Sequence, residues 1–66
     1  MARDINEILK EYDLITQGIE EPFTLGDMTQ IYNTLEEQGK SPSYDTIATA
    51  LRYAFVIGYQ EAQKNA

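Results

Sequence analysis

A chain of 66 residues with 42% hydrophobic content has room for one domain with a small core, so its stability margin is expected to be slight. It has no cysteine and no histidine, which excludes a disulfide framework, thiolate metal sites and the commonest neutral-pH acid-base group. Eleven acidic residues against five basic ones give a net charge of -6, which sets the chain against phosphate backbones and anionic lipid and favours solubility or a basic protein partner.

The first element is predicted over about 4–17. Ile5, Ile8, Leu9, Tyr12, Ile15 and Ile19 recur at three and four residues and fall on one stripe of a helix. Asp4 is the expected N-cap, with Glu7 three residues on as a return contact, and Gly18 is the expected stop. Leu14 lies on the opposite side of the wheel, so it is either exposed or marks a bend or end near Asp13. Asp4, Glu7 and Glu11 interrupt the apolar residues after Arg3. Neither a signal peptide nor a membrane span of roughly 20 apolar residues is therefore expected, and the reading is cytoplasmic.

The second element is predicted over about 25–38. Thr24 as N-cap, Asp27 three residues later, and Phe23 paired with Met28 across the first turn form a complete start signal. Its buried stripe is expected to be Leu25, Met28, Ile31, Tyr32 and Leu35. Gly39, followed by Ser41 and Pro42, ends it.

The third element can start at Ser41, with Pro42 in the first position, or at Ser43; it is predicted over 43–63 and is the longest. Tyr44, Ile47, Ala48, Leu51, Ala54, Phe55, Gly58, Tyr59 and Ala62 form a continuous face, expected to be the core face, with its small residues admitting another helix closely. Connections of about four to six residues fit antiparallel packing. The predicted fold is thus an all-α, compact three-helix bundle in a single domain, 1–66.

Tyr53, Val56 and Ile57 stand at i, i+3 and i+4 on the other side of this helix, flanked by Thr46, Thr49 and Gln60. An aromatic beside two β-branched residues is the composition of an interface centre. A homodimer through the third helix is the leading expectation, with Tyr53, Val56, Ile57, Thr49 and Gln60 as its contact residues. Two other outcomes stay open: the ridge is exposed, or the long helix is central in the monomer and covered on both sides.

No catalytic, metal or cofactor site is expected. The serines and threonines have no histidine base, and Glu20-Glu21 and Glu36-Glu37 lack the spacing of an oxygen-ligand loop. The run Ser41-Pro42-Ser43-Tyr44-Asp45-Thr46-Ile47-Ala48-Thr49-Ala50-Leu51 resembles the opening of a helix-turn-helix. That resemblance implies a turn four residues after Ala48, where Arg52 stands, and a recognition helix that here would carry no lysine or arginine after Arg52 until Lys64. No direct nucleic-acid contact is expected. The segment Leu51-Arg52-Tyr53-Ala54-Phe55-Val56-Ile57-Gly58-Tyr59-Gln60-Glu61-Ala62 resembles segments of short uncharacterised helical proteins of Gram-positive phages and mobile elements, a resemblance that implies no activity. The expected function is a small acidic protein-interaction module without catalysis, in the manner of a phage-type inhibitor or adaptor. A degenerate helix-turn-helix regulator is the alternative.

Overall fold

The computed structural model of the chain describes residues 3–65. Three helices occur in it: α1 (Ile5–Ile15), α2 (Leu25–Glu37) and α3 (Tyr44–Lys64). Each begins where a short polar side chain can accept an otherwise orphaned amide. The Asp4 carboxylate accepts from the amides of Asn6 at 2.9 Å and Glu7 at 3.4 Å. Thr24 and Asp27 exchange hydrogen bonds in a capping box, and Ser43 accepts from the Thr46 amide at 3.1 Å. The Glu7 side chain does not act as the expected return contact; it lies 3.9 Å from Lys10.

The ends have equally local causes. α2 closes in a Schellman motif, with the Lys40 amide donating to Leu35 and the Gly39 amide to Glu36, and Gly39 sits at φ +80. The first helix stops two residues before its expected end, with Thr16 as its C-cap, whose amide and hydroxyl both donate to the Tyr12 carbonyl. Gly18, at φ +81, then turns the chain away. Leu14 is exposed, as one of its two expected outcomes had it.

The helix axes are arranged around α3. The two shorter helices pack on it and not on each other. Ile5 shares a groove with Thr49 and Tyr53, and the Tyr12 ring stands edge-on to Phe55 at 5.7 Å. α2 packs on the beginning of α3, its Tyr32 ring stacked on Tyr44 at 5.0 Å and its Thr29 hydroxyl 3.3 Å from the Tyr44 hydroxyl.

This placement corrects the expected core. Val56, assigned from the sequence to an outer ridge, is 0% exposed and is the most deeply buried side chain among the described residues. It forms the core cluster with Ile8 and Tyr12 of α1, and Ile15, Phe23, Tyr53, Phe55 and Ile57 pack round them. On the expected core face, Ile47 is buried and Ala48, Leu51 and Phe55 are half-buried, but Tyr44, Ala54, Gly58, Tyr59 and Ala62 are exposed. The reason is geometric. A helix of 21 residues is about 31 Å long and one of 13 about 20 Å, and α2 meets α3 between Tyr44 and Ala54, in its first part. Without help from α2, the second part buries the face turned to α1. Phe23, expected to staple onto Met28, packs its ring 6.4 Å from that of Tyr12.

Candidate interaction surface

Two apolar grooves open side by side along α3. The larger, of about 550 Å³, lies between Ile5 at the start of α1 and Asp45, Thr46, Thr49, Ala50 and Tyr53 of α3. The smaller, of about 380 Å³, lies between Ile31 and Leu35 of α2 and the Thr46, Ile47, Ala50, Leu51 and Ala54 side of α3. Thr46 and Ala50 border both, so the two form one trough floored by small side chains and walled by α1 and α2. Its one charged liner is Asp45. No residue of α2 is buried, and its apolar side chains Met28, Ile31, Tyr32 and Leu35 are half-covered at most. Leu25, expected within the same buried stripe, is 67% exposed.

The expected contact residues divide between two places. Tyr53 and Thr49, both half-buried, line the larger groove. Val56 lies wholly under α1 and cannot meet a partner while the monomer is folded, and Ile57 packs beside it against the same cluster. Gln60 is half-buried farther along α3. Thr46, expected to flank the ridge, lines both grooves; Ile5, Ile31, Leu35 and Ala54, expected in the core, line one each; and Ala50 is the residue that sequence reasoning missed. Its signal was weak, an alanine four residues before Ala54 and outside the small residues Ala48, Ala54, Gly58 and Ala62 that the core face includes.

Gly58 bears on this point. A Cβ added there would meet nothing within 4 Å, and the position is exposed in mid-helix. Glycine in a helix interior costs about 1 kcal/mol relative to alanine, and no contact within the single chain accounts for it.

On the far side of the core, a polar cluster ties the α1–α2 connection to α3. Arg52 donates to the Glu21 carboxylate at 3.1 Å, the Tyr12 hydroxyl donates to the same oxygen at 3.4 Å, and the guanidinium lies 5.6 Å from the Tyr12 ring centroid. Burial, and then the neighbouring carboxylate, push the Tyr12 phenol above its ordinary range; the hydrogen bond to Glu21 keeps Arg52 more firmly protonated. With its Arg52 and Glu21 side chains 39% and 45% exposed, the ion pair is a modest clasp rather than a reactive site.

α3 continues without a turn through Arg52. Among the described residues, no group of three or more acidic side chains is placed to hold a metal ion, and no helix is long and apolar enough to cross a membrane. Comparison with protein-family models, curated proteins and solved structures finds no match to this chain.

Proposed function

We propose that the chain is a small acidic protein-interaction module that acts by occupying a surface, without catalysis, and that it associates with itself through α3. The observation that carries this reading is the trough: a helix-wide apolar channel in a domain where, among the described residues, Ile8, Tyr12, Ile47 and Val56 are the buried hydrophobic core. Apolar surface gathered into one concave strip is where a partner gains most from excluding water. The contact face differs from the ridge expected from sequence. It keeps Tyr53 and Thr49, and it replaces Val56 and Ile57 by Thr46, Ala50 and Ala54.

A narrower reading, an inhibitor or adaptor of the kind phages carry, rests on charge. The net charge is -6, and neither groove is lined by a lysine or arginine, so a basic protein would approach without like-charge repulsion. A cytoplasmic setting accords with a chain that contains no cysteine. The regulator alternative requires a turn near Arg52, where α3 is continuous, and we favour the interaction reading for that reason.

Sedimentation equilibrium on the wild type and on an Ala50→Glu, Ala54→Glu double variant tests the proposal. The wild type should show a mass above that of the 7.5 kDa monomer and the variant a monomer of unchanged helicity. A salt titration separates the two kinds of contact: a complex with a basic protein weakens sharply by about 0.5 M salt, whereas association through the apolar trough persists.

A further inference from the structure

We infer that Tyr32 and Tyr44 form an oxidative cross-linking site, at which peroxide-driven one-electron oxidation joins the two phenols by a carbon–carbon bond and locks α2 onto α3. The rings are parallel within 3°, their centroids are 5.0 Å apart, and they belong to different helices. Tyr44 is 41% exposed and Tyr32 is half-buried, so a diffusible oxidant reaches the pair. Among the described residues, the other close ring pairs are Tyr12 with Phe23, Tyr12 with Phe55 and Phe55 with Tyr59, and each of these lacks a second phenol.

Composition directs oxidation to this place. The chain has no cysteine, histidine or tryptophan, so its phenols are the side chains that give up a single electron most readily. The two methionines take up an oxygen atom instead, which forms no cross-link. Each phenol loses one electron and one proton to become a phenoxyl radical, with spin on the carbons ortho to its oxygen. One such carbon from each ring couples, each then passes its hydrogen to its own oxygen, and both rings are phenols again. The two electrons and two protons reduce one hydrogen peroxide to two waters. Bringing the ring edges together requires the stacked pair to slide, and α2 carries no buried residue whose packing that shift would disturb.

The pair also lies where a covalent tie changes most. α2 rests on α3 without a buried residue of its own, and the Tyr32–Tyr44 stack is an exposed contact between them. A bond there closes the turn at Gly39 into a short covalent loop, which removes conformations from the unfolded chain and so stabilises the folded one. It also fixes the α2 wall of the smaller groove, because Ile31 and Leu35 flank Tyr32 on the same helix. Thiols do not undo a carbon–carbon bond, so the lock is permanent for the molecule that acquires it. The inference is independent of self-association.

Dilute full-length protein treated with hydrogen peroxide and a haem peroxidase should lose two hydrogens as a monomer and acquire dityrosine fluorescence. Trypsin should then leave segments 11–40 and 41–52 joined. Tyr32→Phe and Tyr44→Phe should each lower this intramolecular yield about tenfold or more, because no second phenol is then held against the first. Both variants keep a stacked ring, so their helicity should be unchanged. Tyr59→Phe, which removes a phenol of similar exposure stacked on Phe55, should leave the yield within about twofold. The purified product should melt about 5–15 °C above the untreated protein, as expected for a cross-link that closes a short loop. Cross-links formed only between chains, an equal loss in Tyr59→Phe and Tyr32→Phe, or methionine oxidation without loss of hydrogen would overturn the site. A cross-linked product that melts no higher would overturn the lock.

Discussion

The two sides of α3 are built to different degrees of completion. Toward α1, Ile8, Tyr12 and Val56 exclude water, with the Tyr12 and Phe55 rings edge to face at 5.7 Å. Toward α2, burial reaches Ile47 of α3 but no residue of α2 itself, and an open groove runs between the helices. Both sides draw on similar apolar side chains. What differs is how fully they are covered: α1 lays Ile8 and Tyr12 on the middle of α3, while α2 ends beside its first half. Stability is therefore assigned to the α1 side, and the α2 side keeps apolar surface open.

Substitutions on the two sides should separate this assignment. Tyr12→Ala removes the largest side chain of the closed side and should cost about 3–5 kcal/mol in urea unfolding, enough to unfold much of so small a domain. Val56→Ala should cost about 2 kcal/mol, while Leu35→Ala, on the half-covered side, should cost about 1 kcal/mol or less when measured at dilution. Equal losses at Val56 and Leu35 would erase the contrast.

Gly58→Ala should act in opposite senses on folding and on association. At dilution it should raise monomer stability by up to about 1 kcal/mol, because the helix gains and the new methyl meets nothing. At high concentration it should weaken self-association, seen as a smaller rise of melting temperature with concentration.

The smallest effects belong to the clasp on the closed side. Arg52→Ala should cost about 1 kcal/mol or less, since the pair with Glu21 is substantially exposed. Tyr12 adds a pH dependence of known sign. Its phenol ionises at higher pH folded than unfolded, so its contribution is intact below the unfolded value of about 10 and is lost as pH rises through the higher folded one. Tyr12→Phe should flatten the alkaline fall in stability, followed by circular dichroism from pH 8 to about 11.5.

Much of the fold was legible in the residues. Asp4, Thr24 and Ser43 announced the three helix starts, and Gly39 the end of the second, because caps are settled by interactions spanning a few residues. Which face of α3 points inward was not legible beyond Leu51. Both of its faces are apolar there, and the choice rests on the relative lengths and placement of α1 and α2, which no periodicity within α3 encodes. The same ambiguity left Val56 between an outer ridge and burial in the monomer, and the structure takes the second, with α3 central between α1 and α2. Tyr53 and Thr49 survived as groove residues because they sit at the boundary between the two faces.

Hydrogen exchange of the wild type at two protein concentrations tests the central claim most directly. At the lower concentration, amides of α1 and of α3 around Val56 should exchange slowly and those of α2 quickly; at the higher, protection should rise in α2 and along 50–62 while α1 stays unchanged. Amides of α2 as slow as those of α1 at the lower concentration would contradict it, because the side held to be incomplete would then be closed in the monomer.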